Sequence, residues 1–203
     1  KTFPVSEATR AFQSMAQAQH IGKVVLALHD DKALVTPAEP PLIHADGTYL
    51  VTGGLGGLGL EVAKWMVSRG ARHLVHVGRS KPTASAQAIL DELHEAGAEV
   101  VTACADVSSE EQVRRVLNTI KTSMPPLRGI VHAAGILDDS TVLKQSLERI
   151  RSVMAPKAGA WYLHALTTDA SLDFFVLFSS VASTLGSPGQ SNYAASNAFL
   201  DAL

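Results

Sequence analysis

Thr52-Gly53-Gly54-Leu55-Gly56-Gly57-Leu58-Gly59 is the stretch that decides the fold. An apolar run, Thr48-Tyr49-Leu50-Val51, precedes it and reads as a buried strand; Leu60-Glu61-Val62-Ala63-Lys64-Trp65-Met66-Val67 follows and reads as a helix. A strand, a tight glycine turn and the start of a helix together make a site for nucleotide phosphate. Free N–H groups and partial positive charge at the helix N-terminus attract the anion, and glycines let the backbone approach it. Gly54-x-Gly56-x-x-Gly59 fits the dinucleotide fingerprint in the context that fingerprint needs. The alternative reading is a glycine-rich loop without a ligand.

Towards the C-terminus, strand and helix patterns alternate. Residues 73–77 read as a second strand ending at Gly78-Arg79-Ser80. Residues 84–96 read as a helix closed by Gly97, and residues 99–103 as a third strand. Ser108 with Glu111 matches a capping box at the next helix. Residues 127–133 carry a fourth strand, 147–166 a helix with Pro156 as a candidate bend, and 173–178 a fifth strand; a last helix begins near Tyr193. This alternation predicts an α/β fold, a Rossmann-like doubly wound parallel sheet with right-handed crossovers.

Towards the N-terminus the pattern changes. Pro4-Val5-Ser6-Glu7-Ala8 opens a helix with Ser6 as N-cap, and Ala8, Phe12, Met15 and Ala16 share one face. Gly22 stops the helix and residues 23–28 read as a strand. The unit is too small to hold a core of its own. Residues 36–47 read as a linker, because Pro37, Pro40 and Pro41 discourage helix and sheet. The predicted organisation is a fragment over residues 1–35, a linker over 36–47 and a nucleotide-binding domain over 48–203.

A length of 203 residues suits one domain with a piece of another, and a net charge of −2 gives no reason to expect nucleic acid or an anionic membrane as partner. No apolar run approaches the roughly 20 residues of a membrane span, and the N-terminus lacks a signal-peptide core. The single cysteine, Cys104, excludes a disulfide within the chain and fits a reducing, cytoplasmic setting. The eight histidines form no His-x-x-x-His pair, so no metal site is expected. The chain opens without a methionine and stops inside a helix-like stretch, so a segment of a longer protein is expected.

The residue ending the second strand meets the adenosine ribose in this kind of fold. An acid there holds a free 2′-hydroxyl, and an arginine accommodates a 2′-phosphate. Here the position is Arg79, with Ser80 beside it, which favours NADP(H) over NAD(H). Asp106, followed by Val107, is placed either to accept from the adenine amino group or to cap the next helix. His132-Ala133-Ala134-Gly135 ends the fourth strand with small residues that would let a nicotinamide ribose lie close; His132 reads as a wall residue rather than a catalyst.

A second cluster carries chemistry. Ser180 ends a strand, Tyr193 opens a helix, and Gly186-Ser187-Pro188-Gly189-Gln190 is turn material able to bring the two together. A serine and a tyrosine beside a nicotinamide suit carbonyl reduction, in which the developing alkoxide needs hydrogen-bond donors and a proton. A free tyrosine is a weak acid, with a pKa of about 10, and a nearby ammonium would tune it. Lys157 is the candidate ammonium, and Asn197, one helical turn after Tyr193, can bridge the network. Singly, each has a duller reading: a loop cap for Ser180, a packed ring for Tyr193, surface positions for Asn197 and Lys157.

Together these motifs resemble a ketoreductase domain of a type I polyketide synthase, within the short-chain dehydrogenase/reductase superfamily. The resemblance runs from about Thr48 to the end and rests on residues 52–59 (which also fit the Gly53-x-x-x-Gly57-x-Gly59 variant), Gly78-Arg79-Ser80, Ala105-Asp106-Val107, His132-Ala133-Ala134-Gly135, Phe178-Ser179-Ser180 and Asn192-Tyr193-Ala194-Ala195-Ser196-Asn197-Ala198-Phe199-Leu200-Asp201-Ala202-Leu203. Many short-chain reductases carry a lysine four residues after the tyrosine. Here Asn197 holds that position and Lys157 the upstream one, the swap found in polyketide ketoreductases. The resemblance implies an NADPH-dependent enzyme acting on a β-ketoacyl thioester held by an acyl carrier protein. Leu137-Asp138-Asp139 matches the B-type fingerprint, which goes with a D-hydroxyl product, and Leu185 stands where A-type domains carry a tryptophan. The alternative for Asp138 and Asp139 is a solvated acidic loop. Phe3-Pro4-Val5-Ser6-Glu7-Ala8 and His20-Ile21-Gly22-Lys23-Val24-Val25-Leu26 resemble the end of an enoylreductase domain, the expected neighbour. The family's last strands and substrate lid would lie beyond Leu203, so the isolated chain is expected to be crippled or unstable. A stand-alone short-chain reductase and a scaffold domain without cofactor are the competing readings.

Overall fold

The structure, a computed structural model, describes residues 1–33 and 42–203, and the chain divides into two units, Lys1–Pro41 and Leu42–Leu203. In the first unit, Thr2–Pro4 (β1) pairs in parallel with Val25–Ala27 (β2), with Phe3 opposite Leu26. A 3-10 turn over Val5–Glu7 leads into Ala8–Ala16 (α1). Three expectations are corrected here. Ser6 is no N-cap: its backbone N–H donates to the Asp30 carboxylate at 2.8 Å, and no side chain caps α1. The buried face is Ala11 and Ser14, while Phe12 and Met15 are 63% and 48% exposed. The helix also ends well before Gly22, where Ala18 takes a positive φ of 52°. The proline-rich part of the expected linker, residues 36–41, lies outside the described residues.

In the second unit the order is Thr48–Thr52 (β3), Gly57–Ser68 (α2), His73–Gly78 (β4), Ala84–Glu95 (α3), Glu99–Cys104 (β5), Glu110–Ser123 (α4), Leu127–His132 (β6), Leu147–Leu166 (α5), Phe174–Leu177 (β7), Ala182–Leu185 (α6) and Ser191–Ala202 (α7). The strands form one sheet in the order β5-β4-β3-β6-β7, and every pairing is parallel. This is the Rossmann-like sheet that the alternation predicts. Successive side chains on a strand point to opposite faces, and the core splits accordingly. Tyr49 and Val51 of β3 pack with Leu74, Val131 and the inner faces of α2 and α3. Leu50 packs with Val75, Val77 and Ile130 against α4 and α5. Both faces of the sheet are thus covered, as a parallel sheet requires.

Local signals mislead at the start of α4. Ser109, not Ser108, precedes α4, and no side chain caps it; the Ser108 hydroxyl instead donates to Asp106 Oδ1 at 2.7 Å. The capping box is therefore absent, because the Asp106 carboxylate competes for that serine. Helix α7 begins at Ser191, two residues before Tyr193. Pro156 sits inside α5 without ending it; packing against the sheet holds the helix across the missing N–H.

Candidate active site

Strands β4 and β6 flank β3 on opposite sides, and the direction of winding reverses between them. Ligands in such sheets bind beyond the C-terminal strand ends at this reversal. A cavity of about 650 Å³ opens there. Its floor is the glycine turn, with Gly53, Leu55, Gly56, Gly57, Leu58 and Gly59. Its sides are Gly78, Arg79 and Ser80 after β4, Ala105 to Ser108 after β5, and Ala133, Ala134, Gly135 and Ile136 after β6. Ser152, Ala155 and Pro156 of α5 complete it.

Close backbone approach explains two glycines. Gly53 has φ +66°, and a Cβ there would stand 2.8 Å from the Ala133 backbone. A Cβ on Gly59 would stand 2.5 Å from the Gly53 carbonyl oxygen and 2.6 Å from Gly54 Cα. Neither neighbour is a side chain that can turn aside. Gly59→Ala is expected to cost about 1–3 kcal/mol of stability and to weaken dinucleotide binding, read by denaturant unfolding and by nucleotide fluorescence titration. An unchanged variant would mean that the turn relaxes freely.

Three of the residues expected to bind the nucleotide lie behind the cavity wall. Gly54 packs on the buried His76 ring. Thr52 and His132 are fully buried and share a hydrogen bond, Oγ1 to Nδ1, at 2.7 Å. That bond ties the end of β3 to the end of β6, beneath the two loops that line the cavity. Burial pushes the His132 ring down to about 4, and the Lys157 charge adds to this; the nearby Pro156 carbonyl acts the other way but makes no bond of ordinary geometry, which leaves Nε2 without a partner among the described residues. His132 is thus a neutral wall residue.

Asp106 does not cap α4; it closes the turn before that helix and lies among the residues that line the cavity. Its Oδ1 accepts from the Ser108 N–H at 2.9 Å and from the Ser108 hydroxyl, and its carboxylate lines the cavity. The Ser108 hydroxyl and N–H hold the carboxyl below the ordinary carboxylate range, with a smaller push from the Arg79 guanidinium. Arg79 and Asp106 therefore face one end of the same cavity.

At the other end Lys157 is buried, 4% exposed, and donates to the Phe178 carbonyl at 2.8 Å. Burial lowers its pKa. A Cβ on Gly135 would stand 3.4 Å from Lys157 Nζ, so the ammonium lies just behind the wall at Gly135. Ser180 Oγ accepts from the Ala182 N–H at 3.2 Å at the start of α6. Asn197 is fully buried; its Nδ2 donates to the Tyr193 carbonyl at 2.8 Å and its Oδ1 has no partner among the described residues. Among these residues the Tyr193 hydroxyl makes no hydrogen bond, and no bond joins Tyr193 directly to Ser180 or Lys157. What the fold brings together is Lys157 with the β7 end that leads to Ser180, and Asn197 with Tyr193.

The loop carrying Leu137, Asp138 and Asp139 is largely exposed, and both of its carboxylates have partners. Leu137 is 61% exposed, but Asp138 pairs with Arg149 and Asp139 Oδ2 accepts from Gln190 Nε2 at 3.0 Å.

The family model described as "KR domain" matches residues 47–203. The chain belongs to the KR-domain family. Its relatives in this family are polyketide synthases and their ketoreductases. It is 39% identical over 203 residues to a mycocerosic acid synthase-like polyketide synthase of Mycobacterium tuberculosis, an alignment covering 98% of this chain and 10% of that protein. It is 40% identical, with TM-score 0.78, to a ketoreductase domain from the bacillaene assembly line, over 83% of this chain and 41% of the other. An A-type ketoreductase from a modular polyketide synthase follows at 39% identity and TM-score 0.76, over 84% of this chain and 36% of the other. The chain thus spans about a tenth of the length of its curated relative.

In this KR domain three cavity residues, and one buried residue outside the cavity lining, escape sequence reasoning. Ser152, Ala155 and Pro156 share one face of α5 by their three- and four-residue spacing; the proline next to Lys157 is the one signal that points near them. Asn192, 3% exposed, adjoins Tyr193 and carries no signal beyond its place in the motif. Among the described residues no group of three or more His, Cys, Asp or Glu is placed to hold a metal, and no helix is long and apolar enough to cross a membrane.

Proposed function

We propose that this domain reduces the β-ketone of an acyl thioester, carried by an acyl carrier protein, to the β-hydroxyl with NADPH. The observation that carries this reading is the cavity itself. It runs from a glycine turn at a helix N-terminus, past a guanidinium, to a wall backed by a buried ammonium. The residues present fit the nucleotide. Gly53 and Gly59 leave no room for side chains beside the backbone, α2 begins at Gly57 with its N–H groups free, and Arg79 stands where a 2′-phosphate would need a cation. NADPH bound there supplies the hydride. Tyr193 donates the proton to the ketone oxygen, and the Ser180 hydroxyl holds that oxygen. The Lys157 ammonium favours the phenolate left behind, and Asn197 fixes the first turn of the helix that carries Tyr193.

B-type stereochemistry, with a D-hydroxyl product, belongs to the same reading. Likeness to an A-type structure does not decide it, since the likeness is one of the whole fold. The reading rests on Leu137-Asp138-Asp139 and on Leu185 in place of tryptophan. The carrier protein and a neighbouring enoylreductase domain, to which residues 1–35 are assigned, are the proposed partners, in the cytoplasm.

The cofactor tests the reading. The protein is expected to prefer NADPH to NADH by about tenfold or more, roughly 1.4 kcal/mol, and Arg79→Ala to remove that preference while NADH still binds. Comparing kcat/KM for the two cofactors measures it. Equal use of both by the unaltered protein would refute the role given to Arg79.

A further inference from the structure

The loop 137–139 and the tyrosine lie far apart in sequence, yet one side chain joins them. Asn192 Nδ2 donates to the Asp138 carbonyl at 2.9 Å, and Asn192 Oδ1 accepts from the Tyr193 N–H at 2.8 Å. Beside this link, the Ser140 N–H donates to the Gly189 carbonyl at 2.7 Å, and Asp139 accepts from Gln190. From α5, Arg149 Nη1 donates to Asp138 Oδ1 and, at 3.4 Å, to the Asp139 carbonyl. The three segments are thus joined mainly by donors on Arg149, Gln190 and Asn192 aimed at acceptors on Asp138 and Asp139, with the Ser140 N–H running the other way to Gly189.

We propose that Arg149 and Asn192 are positioning residues that lock the loop 137–139 to Tyr193 as one rigid piece, so that the acid and the loop choosing the ketone face keep a fixed mutual geometry. This rests on the ketoreductase reading above. The Asp138 carboxylate is then occupied by Arg149 and does not recognise substrate. The Arg149 and Asp138 side chains are 40% and 35% exposed, and exposed pairs contribute little to stability. The value of this pair is geometric: small misplacements of a reacting group cost far more in rate than in folding.

The test uses the full-length protein with Arg149→Ala, Arg149→Lys and Asn192→Ala. In Arg149→Ala, amide hydrogen exchange is expected to quicken together in residues 137–140 and 191–193, with NADPH affinity unchanged. The fraction of product with the minor β-hydroxyl configuration is expected to rise by about tenfold, and KM for the thioester to rise more than kcat falls. Arg149→Lys should recover part of both effects. Unchanged exchange in both segments together with an unchanged product ratio in Arg149→Ala would overturn the proposal, as would quickening confined to residues 137–140. If Asn192→Ala unfolds, Arg149→Ala, which removes an exposed side chain, still decides. If the unaltered protein reduces no thioester, the function reading falls, and the coupled exchange still tests the lock.

Discussion

Tyr193→Phe is expected to lower ketone reduction by about 10²–10⁴-fold while nucleotide binding stays as it was, because a positioned general acid contributes about that much. The change removes one oxygen and leaves the ring. The backbone of Tyr193 is held by groups that the substitution does not touch: its N–H donates to Asn192, and its carbonyl accepts from Ser196 Oγ at 2.8 Å and Asn197 Nδ2 at 2.8 Å. The variant should therefore fold normally and keep the cavity, which Tyr193 does not line. Turnover at more than a tenth of the original rate would show that another group protonates the ketone. Loss of nucleotide binding along with turnover would assign Tyr193 a structural task.

The second large effect is one of acid on stability. His76 and His132 are fully buried, and burial pushes each ring from its ordinary 6.5 down to about 4, with the Lys157 charge assisting at His132. In the unfolded chain both rings take a proton near pH 6.5, and in the folded protein not until about pH 4. Between those values the unfolded state binds more protons, so stability is complete above about pH 6.5 and falls as the pH drops towards 4. Each ring accounts for about 3 kcal/mol across that window. Against a typical total of about 5–15 kcal/mol, two such rings bring the domain close to unfolding at pH 4–5. Denaturant midpoints between pH 7 and pH 4.5 measure this. His76→Leu should flatten the fall by about half, since both nitrogens of His76 lack partners among the described residues and an apolar side chain loses nothing there. A midpoint independent of pH over this range would contradict the account.

Much of the fold and part of the site are legible in the sequence, for local reasons. The α5 range 147–166 is read from the sequence as it stands in the structure, and the Ser146 hydroxyl, which accepts from the Arg149 N–H, fixes its start. The glycine turn is legible because its constraint is backbone on backbone, with partners at Gly53, Gly54 and one strand end. The features that escape sequence reasoning depend on partners distant along the chain. Arg149 meets Asp138 across 11 residues, Thr52 meets His132 across 80, and Asn192 meets Asp138 across 54. No period or cap encodes such contacts. The capping box at Ser108 fails for a related reason, since Asp106 claims the serine first. In the first unit, β1 escapes notice because a three-residue strand shows no alternation, and it is defined only by its pairing with β2.

The most direct test follows a deuterium atom. The full-length protein is given NADPH deuterated at the transferable position of the nicotinamide, with a β-ketoacyl thioester on its acyl carrier protein. NADPH is expected to be consumed in step with product, and the deuterium to appear on the β-carbon bearing the new hydroxyl, in the D configuration. Absence of NADPH consumption, or oxidation of NADPH that leaves the β-carbon unlabelled, would contradict the ketoreductase reading.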